Sequence, residues 1–581
     1  MAHTAYAQTR RSFGGKGMRS RALGVPLVVA SLVLALFSST DARALPDGNN
    51  ALFARDQTVQ VPDPSQFVVG SIIGQPTQTR EYWFDVEEMN GAPDGVSKPM
   101  IVVNGTFPGP TIEANEGDTV KVHVTNHISN RTTIHWHGIF QNGTNYYDGV
   151  QGITECGIPP GQTLTYEFPL QEFTGTTWWH SLDTQYTDGE AGALIVHPKA
   201  YPAGFPTWDE DLVLQLADNY HELSAAIIPS YLNGGGRLAP IQLETPDSGL
   251  TNGVGQYNGS SDYYNLKLQP GKTYRLRVIH IGSSAQIKFS IDFHKLTVIE
   301  TDSTLNEPYD VSSVTLAVAQ RYSVLITTSE NAEPDGNYWI RTEYLSLSPV
   351  AGTTTDVRAI LRYGDSNADP TTDADPGVPG SDVGPLDLNK LVPFVPETLP
   401  APTKSYTVDF DINNTTTGGL IANMNGTSWV PFTNTATLLN VFDAENAGKV
   451  YSPEGAAVES GDQFIVTADN IEVLDVLLLN QGLGDHPFHL HGHAPWILGF
   501  GSGSFTGEGL NTVNPINRDT FVVPQGGWLV FRIITDNPGA WTLHCHIQWH
   551  MMAGLLMQIV SLPSKMKDFA LPQVIADQCK A

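Results

Sequence analysis

Apolar and polar positions alternate in short runs along most of the chain. Pro99-Met100-Ile101-Val102-Val103 and Thr119-Val120-Lys121-Val122-His123-Val124 are typical, and Gly, Pro and Asn punctuate the runs. Period-two alternation over four to eight residues marks a half-buried strand, and the punctuation marks turns. Helical periodicity is scarce. The pattern predicts an all-β chain of many short strands arranged as sandwiches or barrels. Two breaks divide it. Residues 366–390 are rich in Asp, Pro and Gly and read as an exposed linker, and a second boundary falls near 199–206. After a polar tail over 45–65, this leaves segments 66–200, 201–365 and 391–581. At 581 residues and 63.0 kDa the chain is too long for one core.

Internal repeats agree with that division. Pro160-Gly161-Gln162-Thr163-Leu164-Thr165-Tyr166 resembles Pro270-Gly271-Lys272-Thr273-Tyr274-Arg275-Leu276, with a looser copy at Gln525-Gly526-Gly527-Trp528-Leu529-Val530-Phe531. The outer segments share more. His135-Trp136-His137-Gly138 matches His489-Leu490-His491-Gly492. Gly175-Thr176-Thr177-Trp178-Trp179-His180-Ser181-Leu182 matches Gly539-Ala540-Trp541-Thr542-Leu543-His544-Cys545-His546. The outer segments are therefore expected to be related domains, and the middle one a spacer and wall.

The net charge of −29 and pI near 4.8 argue against nucleic acid or an anionic membrane surface as partner. Basic residues up to Arg21, an apolar run from Val25 to Phe37 and Ala42-Arg43-Ala44 read as a signal peptide over 1–44, with a signal anchor as the alternative. Sequons at Asn104, Asn130, Asn142, Asn258, Asn413, Asn414 and Asn425 fit a glycosylated secreted protein. Of the three cysteines, Cys545 lies among histidines, while Cys156 and Cys579 either pair or stay as free thiols.

The chemistry concentrates in His544-Cys545-His546-Ile547-Gln548-Trp549-His550. On a strand Cys545 points one way and His544 and His546 the other, so one segment can touch two metal centres. Four elements of the His-x-His type, two from each outer domain, could converge on a shared cluster. His486-Pro487-Phe488-His489-Leu490-His491 offers three imidazoles, and His486 is left to join Cys545 and His550 in a His₂Cys set of the blue-copper type. Zinc is the competing metal, but it has no use for a multi-histidine cluster wired through the same Cys. His123, His127, His197, His221, His280 and His294 lack ligand spacing and read as structural. His493 reads as a residue orienting the cluster.

These motifs resemble those of the multicopper oxidases, most closely the fungal laccases. The resemblance covers nearly the whole chain after the leader and includes Asn104-Gly105-Thr106-Phe107-Pro108-Gly109-Pro110 and Ile153-Thr154-Glu155-Cys156. It implies three consecutive cupredoxin-like Greek-key domains, four coppers, and one-electron oxidation of phenolic or aromatic reductants coupled to reduction of O₂ to water. It further implies a type 1 copper on His486, Cys545 and His550 with Leu555 at the axial position, and a type 2 copper on His135 and His489. One type 3 copper falls to His137, His180 and His546, the other to His491 and His544. An aliphatic Leu555 cannot donate to copper, which favours Cu(I) and a high potential. The partners implied are a small aromatic reductant and O₂, with no nucleic acid or membrane, for a secreted monomer.

The departures from the family are specific. The family carries His-Ser-His where this chain has His180-Ser181-Leu182, and the internal repeat independently aligns Leu182 with His546. Asp183, if on a strand, would face the other way. The second type 3 copper is expected to be weakly held or missing. The site could be degenerate in a paralogue, work with two imidazoles plus water, or reflect a single-base variant. The acid that many laccases place near the type 1 edge reads Ser284 here, and the ferroxidase acid reads Gly482. Asp485 and Glu244 remain as acids near the mouth. The family cysteine usual near Thr187 and its partner at Ser283 are absent, which leaves Cys156–Cys579 as the disulfide. The alternatives to a laccase are a ferroxidase and a copper-binding paralogue with little oxidase activity.

Overall fold

The computed structural model describes residues 58–580 except 172, 234–244, 260–261, 329–335, 346–354, 364–365, 379–380, 415–418, 450 and 452–461. The expected leader, the first part of the tail and Glu244 lie outside the described residues. Short strands dominate, as the alternation predicts. Among the described residues they form six sheets, two in each of three successive thirds of the chain. Strands Thr119–Asn126 and Val473–Asn480 bury every second side chain, so the sheets they belong to turn one apolar face inward. No helix among the described residues is long and apolar enough to cross a membrane.

The three Gly turns enter strands Thr163–Pro169, Thr273–His280 and Gly527–Ile534. Gly161, Gly271 and Gly526 sit at φ 74°, 75° and 58°, a left-handed position that glycine takes at no steric cost. The outer thirds match in finer detail. Asn104 and Asn425, both within sequons, occupy equivalent turns at φ 55° and 47°. Each side-chain oxygen accepts a backbone N–H of the neighbouring strand, from Asp85 and Asp409, at 2.8 Å. His135 lies opposite His180 between strands His135–Trp136 and Gly175–His180, and His489 lies opposite His544 between His486–Leu490 and Gly539–Cys545. The repeat read in the sequence is therefore also a repeat of strand register.

The outer domains do not merely touch. Ala540, Met551, Leu556 and Val560 from the last third belong to the same apolar core as Val120, Tyr166 and Leu194 from the first. Helix Thr437–Asn446 docks there, with the Leu438 N–H donating to the Ile153 carbonyl at 2.8 Å. A continuous core holds the two histidine-bearing sheets in fixed relation. One short strand crosses the expected boundary, since Val68–Val69 pairs with Leu212 and Asp211 of the middle third.

Cys156 and Cys579 are joined, with Cα atoms 5.1 Å apart and a sequence separation of 423. The bond ties the chain end to the first third and restricts the unfolded chain. Replacing both residues by Ser is expected to cost about 2–5 kcal/mol, read as a lower urea midpoint with copper content unchanged.

Candidate metal centre

Cys545 ends strand Gly539–Cys545, and His550 lies in the one-turn helix Gln548–Met552 that follows. The adjacent strand His486–Leu490 supplies His486. Nδ1 of His486 and of His550 stand 3.7 and 3.5 Å from Cys545 Sγ, and the three donor atoms lie within 4.8 Å of one another. All three residues are buried. Phe410, Phe488, Trp549 and Leu555 share their core, so the site is dry. Burial lowers the His486 pKa to about 4 and pushes the Cys545 thiol well up. The imidazole is thus a neutral donor at neutral pH, and a cation is needed to draw the thiolate out. The Leu555 carbonyl accepts the Cys545 N–H at 3.1 Å.

On the other side of the same strand lies a second, larger set of imidazoles. His135 Nε2 and His489 Nε2 are 3.4 Å apart. His137 Nδ1 and His180 Nε2 are also 3.4 Å apart, with the His546 ring 5.2 Å from each of theirs. His491 Nε2 and His544 Nε2 are 3.2 Å apart. His546 lies just past the strand end but keeps the alternation, facing away from Cys545. Burial, and then the neighbouring imidazoles, holds His137, His489, His491 and His546 well below the usual histidine range. Neutral rings present lone pairs. Both nitrogens of His546 are buried without a partner, which costs about 1–3 kcal/mol unless something binds there. A metal fits that vacancy in the hydrogen bonding.

Models of the multicopper oxidase family match residues 76–201, 210–366 and 430–565. A laccase of Botryotinia fuckeliana is 37% identical over 83% of this chain and 82% of its own length. The chain belongs to the multicopper oxidase family. Laccase-1 of Cryptococcus neoformans var. grubii is 33% identical over 94% of this chain and 90% of its own. Among solved structures, the laccase of Botrytis aclada superposes with a TM-score of 0.75 at 32% identity, over 91% of this chain and 96% of that one. Fet3p, a multicopper oxidase that functions in iron import, gives 0.76 at 29% identity, over 86% and 94%. The fold is the family's three-domain cupredoxin-like arrangement, and the family binds copper.

Groups that sequence spacing did not reveal orient the clustered histidines of this multicopper oxidase. Asp148 serves both outer domains. Its carbonyl accepts from His135 Nδ1 at 2.7 Å and its carboxylate from His491 Nδ1 at 2.8 Å. The Asp519 carbonyl accepts from His489 Nδ1 at 2.9 Å. His180 and His544 donate from Nδ1 to the carbonyls of Ser181 and Cys545, at 2.8 and 3.0 Å. Five rings are thereby left with Nε2 toward the cluster. His137 is reversed, because its Nε2 meets Asp519 at 3.2 Å and Thr520 at 3.1 Å. Arg321 of the middle domain grips both Asp519 oxygens at 2.6 Å and the Thr176 carbonyl at 3.0 Å. The expected spacer thus braces the cluster. No His-x-His or other short motif marks Asp148, Asp519 or Arg321, and only the fold brings them in.

Strand Gly175–His180 ends at His180, so the alternation argument does not extend to Asp183. Its carbonyl accepts from the Gln548 side chain at 3.0 Å, and Asp183 belongs to none of the converging ligand groups among the described residues. Leu182 is 4% exposed and packs in the core shared by the two outer domains. Ser284 is buried too, and its N–H donates to Asp218 at 2.8 Å. Asp218 also accepts from the backbone of Ser283 and Ala285 at 2.8 and 3.0 Å. That acid, missed in the sequence, secures the loop. Asp485 accepts from the Gln525 N–H at 2.9 Å, which gives it a structural task. The six histidines read as structural have such partners, for example Glu113 for His197 at 2.7 Å and Asp94 for His221 at 2.7 Å.

Proposed function

We propose that the chain is a secreted, laccase-like oxidase. It takes single electrons from phenolic or related aromatic compounds at the His486–Cys545–His550 end and reduces O₂ at the imidazole cluster. Copper, four ions by family with one site short of an imidazole at Leu182 here, would supply the reversible one-electron chemistry and the O₂ reactivity. The observation that carries the reading is the strand end at His544-Cys545-His546. Cys545 faces the mononuclear set, while its two chain neighbours face the cluster, so a few covalent bonds link the sites. His486 and His550 would hold the type 1 ion with Cys545. His135 and His489 would hold type 2, and His137, His180 and His546 one type 3 ion. His491 and His544 are left as a two-imidazole pair for the other.

Leu555 stands at the axial position of the type 1 site by the family pattern. Leu555→Met is expected to lower the potential of that site and slow oxidation of poorly reducing phenols, because a thioether donor favours Cu(II). Leu and Met are close in volume, so stability should change by less than about 1.5 kcal/mol. A redox titration of the visible band checks this, and an unchanged or higher potential contradicts the axial assignment.

The likeness to Fet3p favours ferroxidase activity as the second reading. Against it stands Gly482, where the yeast-type pattern has an acid. Stopped-flow oxidation separates the two. A substituted phenol is expected to show the larger kcat/KM, and a strong preference for Fe(II) would sink the laccase reading.

A further inference from the structure

Trp83 is 61% exposed, whereas the other tryptophans are buried or half-buried. It lies on strand Thr79–Gly91, opposite His123 of the neighbouring strand Thr119–Asn126. The two rings stack, with centroids 5.3 Å apart and planes at 23°. His123 is fixed at both ring nitrogens, by the Thr165 hydroxyl and the Glu81 carboxylate, each at 2.8 Å. One face of the indole is thus covered, and the other looks toward the opposite edge of its strand. There the flanking strand Lys98–Val103 has already ended, since its last pair joins Val103 to Val86. The uncovered face is apolar area left in water.

What stands at that strand end is Asn104, in the sequon Asn104-Gly105-Thr106. Its side chain lies along the edge of the indole's own strand. Oδ1 accepts the Asp85 N–H at 2.8 Å, and Nδ2 donates to the Trp83 carbonyl at 2.9 Å. Nδ2 carries two hydrogens, so one is left for a glycosidic bond while the other holds the turn. Asn104 is exposed. A sugar on Nδ2 therefore starts beside Trp83, on the uncovered side of the ring. N-acetylglucosamine presents C–H groups from its faces, and the indole face carries the negative end of the ring quadrupole. Glu81 and Asp85, exposed on the same side of the strand, suit its hydroxyls.

The internal repeat supplies a comparison. Asn425 occupies the equivalent turn, with Nδ2 toward the Thr407 carbonyl at 3.4 Å. The residue in the place of Trp83 is there Thr407, which pairs with Leu477 rather than a histidine. The two sequons share a linkage geometry, and only the first has an aromatic platform beside it.

We propose that Asn104 carries an N-linked glycan whose first N-acetylglucosamine packs on Trp83, and that a glycan on Asn425 has no such support. The bond forms between Nδ2 and the sugar C1. The donor is a lipid-linked oligosaccharide diphosphate; Nδ2 gives up one proton and the lipid diphosphate leaves. The proposal rests on the secreted reading above, because sequons are used by chains that enter the secretory path.

The test uses the full copper-loaded chain, secreted with its own leader from a eukaryotic host. Amidase deglycosylation in heavy-oxygen water marks each formerly glycosylated Asn as Asp, and peptide mapping is expected to find the mark at Asn104. Hydroxyl-radical footprinting then reads Trp83 directly. Trp83 should be oxidised severalfold more slowly in the parent than in Thr106→Ala, which removes the sequon and keeps both hydrogen bonds of Asn104. Enzymatic removal of the sugar from the folded parent should abolish the same protection. Thr427→Ala, which removes the Asn425 sequon, should leave Trp83 as protected as in the parent. Copper content equal to the parent's shows that each variant folds. Sugar at other sequons with Asn104 bare overturns this proposal alone, as does an occupied Asn104 that leaves Trp83 as reactive as in Thr106→Ala. Sugar at none of the sequons overturns the secreted reading and this proposal with it.

Discussion

Leu182→His is expected to add about one copper per chain and to raise oxygen uptake at least about tenfold, a change of only some 1.4 kcal/mol in barrier. His180 and His544 are equivalent by strand pairing, and the sequence repeat, two residues further on, aligns Leu182 with His546. His546 stands beside His137 and His180 from the opposite domain. By the same symmetry, residue 182 should complete the pair made by His491 and His544. Leu182 offers that pair no lone pair, and its side chain packs in the apolar core instead. Placing an imidazole in an apolar core costs stability until metal binds, so the variant should be the less stable apo-protein and gain more from copper. Leu182→Gln, which brings polarity but no imidazole, is the control and should not reproduce the gain. Copper counting, the type 3 near-ultraviolet band and an oxygen electrode read the result. If copper and oxygen uptake stay at parental values in Leu182→His, the missing-ligand account is wrong. Full copper loading and rapid uptake in the parent would instead favour a site that works with two imidazoles and water.

Cys545→Ser is expected to remove the intense visible band and reduce turnover of a phenol at least about a thousandfold, roughly 4 kcal/mol. Serine nearly preserves volume but replaces a soft thiolate with a hard, poorly ionised hydroxyl, which Cu(I) binds weakly. Cys545 is fully buried, and its sulfur meets His486, His550 and the backbone N–H of Ile547. Stability without copper should therefore shift little. The imidazole cluster should keep its metal, because none of its rings depends on the sulfur. Retained phenol oxidation in a variant lacking the band would show that electrons enter elsewhere.

Much of this was legible in the chain itself. Strand alternation gave the all-β class, and the paired motifs at His135 and His489 announced two related domains. Spacing alone separated His486 from His489 and His491, because a fixed two-residue period sends neighbours to opposite faces. What could not be read is what acts across domains. Asp148 orients histidines of both outer domains, and Arg321 reaches from the middle domain to Asp519 and Thr176. Such partners are set by how sheets pack, which has no local period. Strand ends were equally opaque. The sequence gives no sign that Gly175–His180 stops before Leu182, so the phase inferred for Asp183 did not apply.

The shared core of the first and third domains has a consequence for biogenesis. His486, Cys545 and His550 all belong to the last third, so that site can be metallated as soon as that domain closes. The imidazole cluster cannot exist until both ends of the chain have folded and met. On the proposed ligand assignment, copper acquisition would be ordered by assembly, and the two half-reactions could drift apart. A lesion confined to the first domain would then leave a protein that accepts an electron from its reductant and has nowhere to send it.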